Sequence, residues 1–204
     1  MDVTDFSSVQ LELHRHHVGG TPAESAVRSR EILDICDTSR YGDAAFDVVL
    51  AYGGPLSYAF EDAQGALAGL FRVTKPGGYV VGSVMSWLGS WRYFLGGAIE
   101  DLKKVGEDAY ELMMTTGDLR HVQTNHVCQM FRARDIANLI VACGGAVVAM
   151  SASNWASLSE PEIIEELEAD DGLWAQFLRH EINACAEPGA WDGGTHILFC
   201  ARKS

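Results

Sequence analysis

The chain has 204 residues, 48% of them hydrophobic, and a formal net charge of −13. That is enough chain and apolar content for one domain with one sizeable core, and gives no support to a second. An average surface this acidic repels phosphate backbones and anionic lipid headgroups, so nucleic acid is disfavoured as a partner and a small-molecule substrate is favoured. Arg28, Arg30, Arg40, Lys103 and Lys104 are scattered among acids and form no basic stripe.

The longest apolar runs, residues 46–51 and 144–150, are far shorter than the roughly 20 residues that cross a bilayer, so no membrane partner is expected. The first residues, Met1 to Asp5, have neither the basic nor the apolar region of a secretory leader, and a cytoplasmic location is expected. Five cysteines (Cys36, Cys128, Cys143, Cys185, Cys200) without a CxxC pair argue against a disulfide framework and a thiolate zinc site; reduced, mostly buried thiols are expected.

In chain order, helical periodicity over residues 9–18 follows a short β-type start, with Ser7 or Ser8 as cap and Gly19-Gly20 as stop. Strand-like runs follow at 26–35 and 46–52, a helix at 62–73, and a strand at 79–84. Between the last two lies Lys75-Pro76-Gly77-Gly78, where proline blocks helix continuation and glycine permits positive φ. Residues 86–125 are rich in Trp, Tyr, Met and Gly but weakly periodic, and read as an insertion over one end of the sheet that builds a substrate pocket. A helix at 135–143, a strand at 146–150, one helical stretch at 161–185 and a strand at 195–201 complete the chain. Alternation of this kind predicts an α/β fold with a mainly parallel sheet covered on both faces.

Two blocks carry a resemblance. The first starts with Phe46-Asp47 and runs through Tyr52-Gly53-Gly54 to Tyr58; the second contains Arg72-Val73-Thr74-Lys75-Pro76-Gly77-Gly78 and the strand after it. In this order and separation they resemble class I S-adenosylmethionine-dependent methyltransferases, and the resemblance runs from about Val3 to Arg202. It implies a doubly wound, Rossmann-like sheet with an antiparallel last strand, methyl transfer as the activity, and S-adenosylmethionine as cofactor.

The resemblance also implies site residues. Asp5 matches the acid that accepts hydrogen bonds from the cofactor ribose; an ionised carboxylate can take both hydroxyl protons, although capping the helix that follows is an equal alternative. Asp34 and Ile35 match the acid at the adenine amino group and the apolar residue against the ring, with initiation of a turn as the rival reading of Asp34. Tyr52, Gly53 and Gly54 match the loop beside the cofactor's methionine end, or else form an ordinary loop. The family's first strand and its G-x-G-x-G turn would lie before Val3 and are not in this sequence. In the family's strand order, 3-2-1-4-5-7-6, that leaves a gap of about 9–10 Å where neighbours lie roughly 4.8 Å apart. Three outcomes are open: the 2–5 strand shifts toward the 46–52 strand, a partner chain such as a second copy in a homodimer fills the slot, or the sequence is a shortened product. Loss of the turn puts cofactor affinity in doubt, so a non-methylating fold relative and a partner-binding module stand as alternatives.

For the acceptor, Tyr58, Met85, Trp87, Trp91 and Tyr93 are candidates for an apolar pocket, against the alternative of plain core. His126 is the candidate proton acceptor, because it follows the aromatic insertion, with His121 as runner-up. His196 reads as structural within the last strand. In His14-Arg15-His16-His17, His14 and His17 share a helix face and His16 does not; a solvated face is the expected role, and no metal site is assigned. His126, Cys128 and Met130 alternate as in a core-facing strand, and the acidic stretch 160–171 reads as the solvated side of a helix.

Overall fold

The computed structural model describes residues 1–204. Parallel strands need helical crossovers, and the chain supplies them. The elements are β1 (Asp2–Asp5), α1 (Ser8–Val18), β2 (Ser29–Ile32), β3 (Phe46–Ala51), α2 (Ala63–Val73), β4 (Thr74–Met85), α3 (Trp87–Tyr93), α4 (Leu95–Val105), α5 (Glu107–Thr116), α6 (Ala133–Ala142), β5 (Gly145–Ala152), α7 (Pro161–Glu168), α8 (Asp171–Ala186) and β6 (His196–Lys203). No helix is long and apolar enough to cross a membrane.

The strands form two sheets. β1 pairs only with β2, in parallel, from Asp2 opposite Ser29 to Asp5 opposite Ile32. The other four run in the order β3-β4-β6-β5, with β3 and β4 parallel and β6 antiparallel to both its neighbours, so the last strand is the one of reversed direction. The expectation that the first strand would shift toward the 46–52 strand is not met. β1 is held where it is: the Asp2 carboxylate accepts from Arg28 Nε (2.7 Å) and Ser29 Oγ (3.0 Å), Arg28 N donates to Met1 O (2.7 Å), and sliding β1 away would break this set and the ladder together. β3 therefore keeps a free edge, with Val48 50% and Leu50 64% exposed.

One face of the four-stranded sheet makes the main core. Val80, Gly82 and Val84 of β4 stand opposite Ala201, Phe199 and Ile197 of β6, and this face packs against Leu67, Leu70 and Phe71 of α2 and Ile136 and Ile140 of α6. Gly82 has to be glycine, since a Cβ there would lie 2.6 Å from Phe199 Cζ. The opposite face carries Ser83, Leu198, Met85 and His196, with Met85 directly across from His196 at its end.

The Lys75–Gly78 segment is not a separate turn before the strand: it lies within β4, where it bulges out of the pairing with β3 between Thr74, opposite Phe46, and Tyr79, opposite Val48. Gly77 sits at φ 76°, and Gly78 packs so close to β3 that a Cβ would be 2.5 Å from Asp47 O. Arg72, just before it, donates to Tyr41 O (2.9 Å), Thr38 O (2.7 Å) and Asp43 (2.7 Å), tying the segment after β2 to α2.

Several expectations need correction. Residues 86–125 contain three helices, α3 to α5, which follow one another with breaks only at Phe94 and at Gly106, φ 84°, so the apolar period is reset twice within the segment. The 161–185 stretch is two helices: the chain leaves helical geometry at Asp170, whose carboxylate caps α8 by accepting from Gly172 N (2.8 Å) and Leu173 N (3.0 Å). Residues 126–130 form no strand and make only one isolated bridge, Gln129 to Asp118, because their partner segment is a helical turn. Of the free cysteines, Cys128 and Cys185 are buried, but Cys36 is exposed in the turn after β2. His14 is occupied by a neighbour, Nδ1 accepting from Arg30 Nε at 3.0 Å.

Candidate functional site

Asp5 closes β1, Asp34 stands two residues beyond β2, and Tyr52 to Gly54 follow β3, so each candidate cofactor residue lies at the C-terminal end of its strand, where open α/β sheets bind ligands. Both acids also do what their local alternatives predict. Asp5 Oδ1 accepts Ser7 N at 2.8 Å on the way into α1, and Asp34 Oδ1 accepts Cys36 N at 2.9 Å. Each turn uses Oδ1 and leaves Oδ2 to accept from a ligand, so turn formation and ligand contact are compatible. Asp34 is exposed; Ile35 is half-buried and packs against the main core.

Gly53 and Gly54 adopt φ of 84° and 74°, a left-handed path that favours glycine at both positions. Their backbone N–H groups both donate to Ser83 Oγ, at 3.1 Å each. The loop is thereby fixed against β4, but its N–H groups are spent, and what it offers a ligand is carbonyls and bare α-carbons. A Cβ on Gly54 would lie 3.8 Å from both Met85 and His196, so the loop abuts the Met85–His196 pair.

On the other side of that pair lies a cavity of about 600 Å³. Trp91, Tyr93 and Phe94 from α3 and its end, Tyr110 and Met113 from α5, and Cys128 and Met130 form much of its wall, while Met85, Asn154, Thr195 and His196 belong to the sheet end. Trp91 Nε1 donates to Tyr110 Oη at 3.0 Å, which satisfies both polar tips and leaves their rings as apolar surface. No lysine or arginine lines the cavity, and Asp101 is the one carboxylate, so the space suits a neutral or cationic molecule. Burial pushes the Cys128 thiol up to about 11, which makes it a packing group rather than a nucleophile.

Met85, Trp91, Tyr93 and His126 all line this cavity, as the sequence suggests. Tyr58 does not; it stands outside, edge-on to the His126 ring at 6.1 Å between centroids. Trp87 does not either. It is buried in a second core with Tyr110, Met113 and Val122, its backbone N donates to Phe131 O at 2.9 Å, and Arg132 covers its ring at 3.9 Å. The first residue of α3 is thus pulled beneath the cavity wall, and one turn later Trp91 reaches it. His121 is not on the wall, whereas His196, read as a strand residue, is on both the strand and the wall. Ser83, Asn154 and Thr195 also escape the sequence reading, since the parallel pairing of β3 with β4 brings Ser83 to the loop and the antiparallel pairing of β6 brings the other two to the site.

A methyltransferase-domain family model matches residues 3–82. No curated protein matches the chain in sequence. Solved structures do match in fold. An S-adenosylmethionine-dependent methyltransferase from Mesorhizobium loti superposes with a TM-score of 0.59 at 15% identity, over 99% of this chain and 79% of that one. Another from Methanosarcina mazei gives 0.57 at 12% identity, over 99% and 81%. The (4+2)-cyclase SpnF gives 0.54 at 16% identity, over 99% and 65%. With its parallel strands, its reversed last strand and the matched segment from β1 through most of β4, the chain has the Rossmann-like fold of class I S-adenosylmethionine-dependent methyltransferases.

Proposed function

We propose that this chain is an S-adenosylmethionine-dependent methyltransferase acting on a small, apolar or aromatic metabolite. The observation that carries the reading is the shared wall: Gly54, in the loop matched to the cofactor, abuts Met85 and His196, which line the apolar cavity. A methyl donor on one side and an acceptor on the other would meet there, and in-line placement is most of what such a transfer needs. Asp5 and Asp34 would accept from the ribose and the adenine with their free oxygens, Ile35 would flank the adenine, and Tyr52, Gly53 and Gly54 would border the methionine end. When bound, the cofactor supplies an electrophilic methyl group on a sulfonium. The aromatic walls exclude water from the acceptor, and His126 and His196 are the wall imidazoles able to take its proton.

Calorimetric titration with S-adenosylhomocysteine tests the reading. Binding tighter than about 1 mM that weakens at least tenfold in Asp34→Ala supports it. Absence of binding overturns it.

One observation favours a second reading. The N–H groups of Gly53 and Gly54 are already bonded to Ser83, so a non-methylating relative that binds an apolar molecule, or promotes its rearrangement, needs nothing more from that loop. A neutral apolar dye bound in the cavity without any S-adenosylhomocysteine binding would favour it. The free edges of β1 and β3 leave room for a strand from a second copy, and light scattering after size exclusion reads that as a dimer mass.

A further inference from the structure

The four side chains around the start of β6 form a hydrogen-bond chain. Asn154 Oδ1 accepts from Thr195 N at 3.0 Å, and a backbone N–H can only donate, so the amide orientation is fixed. Asn154 Nδ2 then donates to Thr195 Oγ1 at 3.4 Å. Ser153 Oγ accepts from His196 N (3.1 Å) and lies 3.0 Å from Asn154 Oδ1, an acceptor, so its own proton points there. Thr195 Oγ1 lies 3.4 Å from Ser153 Oγ and 3.3 Å from His196 Nδ1, and its one proton can go to either. With that proton directed to Ser153 Oγ, a lone pair of Thr195 Oγ1 faces His196 Nδ1. Nδ1–H then fills it, and Nε2 is left without a proton.

From this chain and from its contact with Gly54 we infer that His196, rather than His126, is the proton acceptor of the transfer, held as the Nδ1–H tautomer by Thr195 with Nε2 free as a base. The assignment rests on the methyltransferase reading of the adjoining loop. Acceptor geometry favours it, because His196 touches both the cavity and the loop, whereas His126 stands against Tyr58. Burial also holds the His196 pKa below the ordinary histidine value, so the neutral form prevails near pH 7. In the step itself the acceptor's X–H bond breaks as Nε2 takes the proton. With Asp5, Asp34 and the Tyr52–Gly54 loop holding the cofactor, it would supply a methyl group to the electron pair left on X, and the C–S pair would stay with sulfur. The imidazolium, disfavoured by burial, returns the proton to solvent. Thr195 and Asn154 are positioning residues.

Long-range proton–nitrogen NMR of the histidine rings in the 15N-labelled chain tests this without an acceptor substrate. His196 signals, identified by their loss in His196→Gln, are expected to show Nδ1–H at neutral pH. Thr195→Ser should keep that tautomer, and Thr195→Val should move it toward the Nε2–H form. Saturating S-adenosylhomocysteine should shift the His196 ring signals and leave those of His126 in place. An Nε2–H tautomer in the unmodified chain overturns the assignment whatever the cofactor does. A shift at His126 with none at His196 returns the role to His126. Failure of S-adenosylhomocysteine to bind overturns the methyltransferase reading, and the transfer role of His196 falls with it even where the tautomer holds.

Discussion

Glu181 in α8 is one of few buried carboxylates, and its removal should damage both stability and the site. Its Oε1 accepts from Trp155 N (2.6 Å), Ser157 N (3.1 Å) and Ser157 Oγ (2.6 Å), and its Oε2 accepts from Ala156 N (3.0 Å). These bonds fix the turn directly after Asn154, the residue that sets the hydrogen-bond directions around His196. In Glu181→Gln the carbonyl oxygen can keep the Oε1 set, but the new amide meets Ala156 N–H donor to donor. One charge-assisted bond is lost at about 1.5–3 kcal/mol and the others weaken to neutral strength, for a total of roughly 3 kcal/mol. At this chain length that corresponds to a melting temperature lower by about 6–12 °C. Burial alone would raise the Glu181 pKa, but the Ser157 hydroxyl and the three backbone N–H groups outweigh it, and the net shift is downward. A carboxyl whose folded pKa lies below its unfolded one contributes stability that is complete above the unfolded value and is lost as pH falls through the folded one. The gap between the natural chain and Glu181→Gln in urea unfolding should therefore be widest near neutral pH and shrink below about pH 4. A gap under about 0.5 kcal/mol at pH 7, within the range of ordinary surface substitutions, or one that widens in acid, refutes the reasoning.

Ser83→Ala leaves two loop N–H groups without their acceptor, and should cost about 1–3 kcal/mol in urea unfolding and weaken S-adenosylhomocysteine binding in the same variant. Gly82→Ala drives a Cβ into the Phe199 ring and should cost about 1–3 kcal/mol, while Phe199→Leu in the same chain should cost less than the sum of the two single changes. Ala98→Trp, on the cavity wall, should abolish the fluorescence gain of the neutral dye Nile red on binding while circular dichroism stays unchanged.

The sequence carried the elements whose cause is local. Periodicity marked α1, α2 and α6, and the irregularity at Lys75–Gly78, though it proved to lie within β4, follows from what proline and glycine allow. Asp5 and Asp34 could be placed at strand ends because a strand's end is a local event. What stayed hidden depends on pairing across long stretches of chain. α3 to α5 follow one another with single-residue breaks that reset their period, and Trp87 and Trp91, one helical turn apart, looked alike although a backbone bond to Phe131 buries only the first.

The same limit explains His196. Nothing within Gly193-Gly194-Thr195-His196 tells whether the imidazole faces the core or the site; that is decided by register, and a slip of one residue would exchange the two faces of β6. Met85 opposite His196 is the pair that places the ring at the sheet end, and the Ala152 to Ile197 pairing brings Ser153 and Asn154 alongside it. The orientation of the Asn154 amide is a further step removed, because it follows from one backbone N–H, that of Thr195, meeting one amide oxygen. His126 was legible because it follows an aromatic segment along the chain. His196 becomes visible only once the last strand is laid between β4 and β5, since that insertion alone makes an end-of-chain histidine a neighbour of the loop after β3.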